Sequence, residues 1–192
     1  MIANGGLKGG ERVLILGASG GVGSCCVLLA KAMGCEVVAC GSTKDKLKAL
    51  TEWGADHVIN YKEEDFTKAI WTKFGKPHRR KFEGGVDVVI NFTGGDTWVP
   101  SFKVTRRGGK ILTCGATAGF DPKTDLRYVW TFELKILGSN SWLPEDLETL
   151  MAMISEGKLS PIIDTVLPLD KTAEGVKLLE DRKVIGKIII TP

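Results

Sequence analysis

The residues with the clearest chemical meaning form one run, Gly17-Ala18-Ser19-Gly20-Gly21-Val22-Gly23, between the apolar stretch Val13-Leu14-Ile15-Leu16 and a small, apolar segment at helical spacing. A strand that passes through glycines into a helix brings free backbone N–H groups and the positive end of a helix dipole to one point. A pyrophosphate is held there without any side-chain charge. The run therefore predicts a dinucleotide site at Ser19, Gly20, Gly21 and Val22.

A second constellation, Gly41-Ser42-Thr43-Lys44-Asp45-Lys46, follows the apolar stretch Glu36-Val37-Val38-Ala39-Cys40. In a nucleotide-binding unit the end of the second strand lies beside the adenosine ribose, and an acid there accepts from the 2′- and 3′-hydroxyls of NAD. Here hydroxyls and lysines take that place, and the first carboxylate is Asp45. A carboxylate repels a 2′-phosphate, whereas serine and lysine bind it. The composition predicts NADP(H). Ser42 or Thr43 also reads as the cap of a helix beginning near Lys44, and capping and binding can coexist.

The glycine spacing alone fits several families. The pattern G-x-G-x-x-G is absent. Gly17, Gly21 and Gly23 match the spacing of short-chain dehydrogenases, yet the Tyr-x-x-x-Lys pair those enzymes need is missing: Asp65 follows Tyr61 and Phe132 follows Tyr128 at that distance. A phosphate-gripping loop would end Gly-Lys-Ser/Thr, but Ser24 follows Gly23; a methyltransferase would carry acids where Leu16 and Gly41 stand. The run Gly-Ala-x-Gly-Gly-Val-Gly instead resembles the medium-chain dehydrogenase/reductase superfamily, in particular its quinone oxidoreductase and zinc-type alcohol dehydrogenase members. Gly54-Ala55-Asp56-His57-Val58-Ile59-Asn60-Tyr61, Leu167-Pro168-Leu169-Asp170 and Gly186-Lys187-Ile188-Ile189-Ile190 resemble further signatures of the same superfamily, so the likeness runs from about Gly9 to Pro192.

That resemblance implies roles. Ser42 and Lys46 contact the 2′-phosphate, with Lys44 a lesser candidate; Tyr61 lies near the adenine and 2′-phosphate; backbone near Thr93, Gly115 and Ala116 meets the nicotinamide. The superfamily more often has Asp where this chain has Asn91. It implies a homodimer paired through the sixth strand. It also implies a preceding catalytic domain, which carries the substrate pocket and, in zinc-type members, the Cys and His ligands. The chain is therefore expected to be the second half of an enzyme, binding NADP(H) but inactive alone. A small-molecule substrate would be engaged only with the missing domain. No catalytic side chain and no metal ligand is assigned. Quinone or enone reduction is favoured over zinc-dependent alcohol oxidation, and a non-catalytic NADPH-sensing module is the remaining alternative.

Elements that would position these residues follow from periodicity and breakers. Strands are expected at 13–16, 36–40, 57–60, 86–91, 110–114 and 134–139, with helices at 24–33, 44–53, 63–74, 97–105 and 144–156 and a turn at 106–109. Such alternation predicts an α/β doubly wound Rossmann fold, a six-stranded parallel sheet of order 3-2-1-4-5-6. Residues 162–167, 169–181 and 187–190 add a strand-helix-strand tail, giving a nucleotide-binding domain at 1–158 and a C-terminal segment at 159–192. The two tail strands, without their catalytic-domain partners, are expected to pair with another copy, fold back, or be mobile.

Composition bounds the rest. At 192 residues and 43% hydrophobic content the chain can bury one substantial core. A formal charge of +3 and one basic run, Lys76 to Lys81, read as a solvated loop and not a nucleic-acid surface. No apolar stretch is long enough to span a membrane, and the glycine-rich N-terminus lacks the core of a signal peptide. Of five cysteines, at 25, 26, 35, 40 and 114, none has zinc spacing. Buried thiols in a reducing, cytoplasmic setting are expected.

Overall fold

The computed structural model describes residues 4–140 and 142–192. In chain order the elements are β1 (Arg12–Ile15), α1 (Gly21–Ala32), β2 (Glu36–Gly41), α2 (Lys44–Glu52), β3 (His57–Asn60), α3 (Phe66–Phe74), β4 (Val86–Ile90) and α4 (Trp98–Val104). There follow β5 (Thr105–Thr113), α5 (Leu126–Thr131), β6 (Lys135–Gly138), α6 (Pro144–Ser155), β7 (Ile163–Pro168), α7 (Thr172–Glu180) and β8 (Lys187–Thr191). The first six strands form one parallel sheet in the order β3-β2-β1-β4-β5-β6, the order expected from the sequence.

Central strands are covered on both faces, which is why β1 reads as unbroken apolar sequence. Val13 and Ile15 pack with Val27, Ala30 and Leu50 of α1 and α2, while Leu14 packs on the other face with Ile70 and Phe102 of α3 and α4. The direction in which successive strands are added reverses between β1 and β4, and the crevice at their carboxyl ends is where such sheets bind ligands.

Three details depart from the expectations. First, α3 starts at Phe66 and not near Glu63, because Asp65 caps it: its Oδ1 accepts from the N–H of Thr67 at 2.7 Å and of Lys68 at 3.1 Å. Second, residues 106–109 belong to β5 as an irregular bulge, since Val86 pairs with Thr105 and Val88 already pairs with Lys110. Arginines and glycines at 106–109 predict a turn, since an insertion of this size in one strand has the same composition as a turn. Third, Cys26, Cys35 and Cys40 are buried, but Cys25 is only half-buried and Cys114 is exposed just beyond β5.

The tail folds back on the chain. β7 and β8 pair with each other in parallel, joined by α7, and form a two-stranded sheet. Gly186, just before β8, donates its N–H to the Ser19 carbonyl at 2.9 Å. This seats the tail against the glycine turn. Ile163 and Val166 of β7 and Val176 of α7 stay exposed.

Asp56 ties three elements together at the opposite, amino-terminal edge of the sheet. Its carboxylate accepts from Lys31 Nζ at 2.8 and 2.9 Å and from the Val37 N–H at 2.7 Å. Burial works to raise its pKa, but the Lys31 ammonium and the Val37 N–H outweigh it and hold the carboxyl below its usual range. A depressed carboxyl stabilises the fold above its unfolded-state pKa, and that contribution is lost as pH falls through the folded value. Because the pair is partly exposed, Asp56→Asn is expected to lower stability by only about 1 kcal/mol at neutral pH. The gap from wild type should close in acid, as read from urea midpoints across a pH series; a gap that is constant with pH would count against the carboxylate's role.

Candidate dinucleotide site

Gly17 leaves β1 with φ +63°, a left-handed conformation that a side chain resists. The chain then folds tightly on itself: Gly20 N–H donates to the Gly17 carbonyl at 3.1 Å and Ser24 N–H to the Gly20 carbonyl at 2.8 Å. A Cβ on Gly23 would lie 2.2 Å from the Gly17 carbonyl oxygen, so only glycine lets the first turn of α1 press against the end of β1. No acid sits in that first turn, and its free N–H groups face the crevice with the helix dipole behind them.

A cavity of about 710 Å³ opens there. Of the residues predicted from sequence, Ser19, Gly20, Gly21, Ser42, Lys46, Tyr61 and Thr93 line it. Val22, which is 48% exposed, lies outside it, as do Gly115 and Ala116. Thr93 shares the cavity with Ser42 and Lys46 and also with Thr117 and Ala118, which follow directly on Gly115 and Ala116; its carbonyl accepts from the Ala118 N–H at 2.7 Å. The cavity thus joins the glycine turn, the end of β2, the turn after β4 at Thr93 and Thr97, and Thr117 and Ala118 of the loop after β5. The tail supplies a further wall: Leu179, Arg182, Val184 and Gly186 line the cavity too.

The capping question at β2 resolves in favour of Thr43, which caps α2 by accepting from the Lys46 N–H at 3.3 Å. Ser42 is left facing the cavity. Lys46 is 8% exposed, and its Nζ donates to the Arg182 carbonyl at 2.7 Å. Burial, followed by the Arg182 guanidinium, lowers its pKa from the usual lysine value, opposed by Asp164. An ammonium has three donors, so Lys46 retains capacity for a phosphate while holding the tail.

Two cations escaped the sequence reading. Arg182 reaches the cavity from the end of α7, with φ +56°; no local signal announces it, because its relevance comes only from the tail docking. Lys187 opens β8 with Nζ 3.1 Å from where a Gly21 Cβ would stand, beside the first turn of α1. It lies in the Gly186-Lys187-Ile188-Ile189-Ile190 signature, to which the resemblance assigns no cofactor role. Glu64, Asp65 and Asp96 also line the cavity. As acceptors they suit the hydroxyl and amino donors of a nucleoside, leaving the phosphates to the cationic side.

Strand order, glycine turn and crevice together define a dinucleotide-binding α/β domain. The family profile described as "Zinc-binding dehydrogenase" matches residues 21–156, and the chain belongs to this family, within the medium-chain dehydrogenase/reductase superfamily. The acryloyl-coenzyme A reductase of Sulfurisphaera tokodaii is 33% identical over 192 residues, covering 98% of this chain and 53% of that protein. A crystal structure of an NAD-dependent alcohol dehydrogenase superimposes with a TM-score of 0.89 at 33% identity, over 100% of this chain and 54% of its own. The 2-octenoyl-CoA carboxylase reductase CinF, in complex with NADP and 2-octenoyl-CoA, gives a TM-score of 0.87 at 30% identity, over 97% of this chain and 44% of its own. The chain thus spans about half the length of these proteins.

The family's description raises the question of zinc. Among the described residues no group of three or more His, Cys, Asp or Glu side chains is disposed to hold a metal ion. His57 pairs its Nε2 with Glu36 at 2.8 Å, and burial pushes the thiols of Cys26 and Cys40 up to about 12. These donors do not fit a zinc site.

Proposed function

We propose that this chain is the NADP(H)-binding part of an oxidoreductase, and that the whole protein reduces the carbon–carbon double bond of an enoyl thioester. The observation that carries the cofactor assignment is the end of β2, where Ser42 faces the cavity and no carboxylate stands. On this reading the N–H groups of Ser19 to Val22 and Lys187 hold the pyrophosphate. Ser42, Lys46 and Arg182 hold the 2′-phosphate, and Tyr61 covers the adenosine. The loop at Gly115 and Ala116 supports the nicotinamide. The bound dinucleotide supplies the hydride, and the protein's share is placement and electrostatics. The thioester assignment is supported by the acryloyl-coenzyme A reductase and the 2-octenoyl-CoA complex among the similar proteins. The chain alone is expected to bind the dinucleotide without turnover.

The test is a fluorescence titration with NADPH and with NADH. Two charge-assisted hydrogen bonds to a 2′-phosphate, at roughly 1.5 to 3 kcal/mol each, predict that NADPH binds about 10²-fold more tightly or better. Equal affinities, or a preference for NADH, would sink this assignment and favour an NAD-dependent alcohol dehydrogenase like the superimposed structure. A homodimer is proposed as well, because β6 is an edge strand with Ile136 exposed. A strictly monomeric species at high concentration in sedimentation would remove that part.

A further inference from the structure

We infer that the C-terminal segment is a clamp on the 2′-phosphate, closed through Arg182, so that a 2′-phosphorylated dinucleotide fastens the tail to the sheet more firmly than an unphosphorylated one. The inference rests on the dinucleotide reading above and adds to it a response of the tail. Arg182 stands where the end of α7 suits glycine. Its N–H donates to the Leu179 carbonyl at 3.0 Å and the Lys183 N–H donates to the Leu178 carbonyl at 3.1 Å, the pair of bonds that closes a helix through one left-handed residue. Arg182 is that residue, with φ +56°, a conformation that a side chain resists and glycine does not. What its side chain reaches is the dinucleotide cavity. The adjacent Asp181 is held by Lys177 at 2.9 Å and by Lys183 at 3.4 Å, and among the described residues no carboxylate pairs with the Arg182 guanidinium.

The seam that seats the tail here is narrow. The Gly186 N–H donates to the Ser19 carbonyl, Lys46 Nζ donates to the Arg182 carbonyl at 2.7 Å, and Val184 is buried. Ile163, Val166 and Val176 stay exposed and add nothing to the docking. Across the seam two cations line one cavity, Lys46 from α2 and Arg182 from the tail. Their repulsion adds to burial in lowering the Lys46 pKa, with Asp164 opposing it, and it works against a docked tail. A phosphate dianion taken up beside Ser42 turns that repulsion into two attractions, one to each side of the seam. Lys46 joins in without releasing the Arg182 carbonyl, because an ammonium has three donors. Coupling of this kind is reciprocal: a ligand that fastens the tail is itself held more tightly by a fastened tail. NADPH and NADH share the pyrophosphate that Lys187 serves, so any difference between their effects on the tail belongs to the 2′-phosphate.

Substitution separates the guanidinium from the backbone that carries it. Arg182→Gly suits the left-handed turn and keeps the carbonyl that Lys46 holds, while the cation is gone. Arg182→Lys keeps a positive charge on the same strained backbone but loses the planar fork that matches a phosphate.

The experiment follows hydrogen–deuterium exchange of segments 163–168 and 183–191 in the full chain, free and saturated with NADH or with NADPH, with affinities from calorimetry. In wild type both segments are expected to exchange about tenfold more slowly with NADPH than with NADH, the effect of one charge-assisted hydrogen bond across the seam. β6, at the far edge of the sheet, should exchange alike with both. In Arg182→Gly, NADPH is expected to bind about tenfold more weakly and the two cofactors to protect the tail equally, with the melting temperature of the free protein unchanged or higher. Arg182→Lys should restore part of the difference. A residue that serves only to end α7 would change the melting temperature and leave the difference between the cofactors intact. That result, or equal protection by NADPH and NADH in a wild type that still prefers NADPH, overturns the clamp and leaves the cofactor reading standing. The wild-type comparison decides without any variant. If wild type shows no preference for NADPH, or binds neither cofactor, the cofactor reading falls and the clamp falls with it.

Discussion

Gly23→Ala is expected to lower stability by about 3 kcal/mol or more and to abolish dinucleotide binding. The new Cβ would lie 2.2 Å from the Gly17 carbonyl oxygen and 2.6 and 2.7 Å from the Cα and carbonyl carbon of Ala18. All three are backbone atoms, so no rotamer change relieves the overlap. The backbone cannot retreat either: Ala18 is fully buried and its N–H is bonded to the Cys40 carbonyl at 3.2 Å. Either α1 moves off β1 or the turn loses its shape, and both outcomes scatter the N–H groups that would face a pyrophosphate. Gly34→Ala is the control. Gly34 has φ +75° but open space around it, so its replacement carries only the conformational term, about 1 to 2 kcal/mol, and should leave binding intact. Urea midpoints and NADPH titrations of the two variants separate space from conformation. A Gly23→Ala protein with wild-type midpoint and affinity would mean that the close approach of helix and strand is not what the glycine serves.

The contrast between these glycines bears on what can be read from sequence. Strand order followed from the alternation of β-branched runs with helical periods, and the glycine turn is a local motif whose chemistry depends on neighbours a few residues away. Bounds were harder where a side chain competes with periodicity: Asp65 sets the start of α3 by capping it, although Glu63 and Glu64 are equally good helix formers. The bulge at 106–109 is set by pairing with β4, a partner some twenty residues distant. The site divides the same way. Ser19, Gly20, Gly21 and Ser42 come from the first two strand ends and were legible. Arg182 comes from a segment more than one hundred residues later, and nothing in Asp181-Arg182-Lys183 hints that its carbonyl receives Lys46. Asn91 is visible in the sequence only as a departure from the usual Asp; that it is buried, accepts from the N–H of Thr93 and Gly94 and donates to Ser101 Oγ depends on contacts the fold alone supplies.

Ser42→Asp is expected to remove most of the preference for NADPH, weakening it by about 10²-fold or more while leaving NADH no weaker, since like charges brought together cost several kcal/mol. Position 42 is the place to make this change for steric reasons. A side chain on Gly41, the residue before it, would meet Leu47 Cδ2 at 3.1 Å and Leu50 Cδ1 at 3.2 Å, so an acid there would disturb α2 as well as the ligand. Removing the cation is equally ambiguous. Lys46→Ala would delete a partner of the 2′-phosphate and also strip the Arg182 carbonyl of its donor, loosening the tail that forms the second wall of the cavity. Ser42 has no such second duty, because Thr43 does the capping. Competition by 2′,5′-ADP against 5′-ADP isolates the phosphate from the rest of the dinucleotide: wild type should prefer the former strongly and Ser42→Asp should not. If Ser42→Asp keeps the full preference for 2′,5′-ADP, the 2′-phosphate does not lie at the end of β2. The cations at Lys46 and Arg182 would then serve the tail alone.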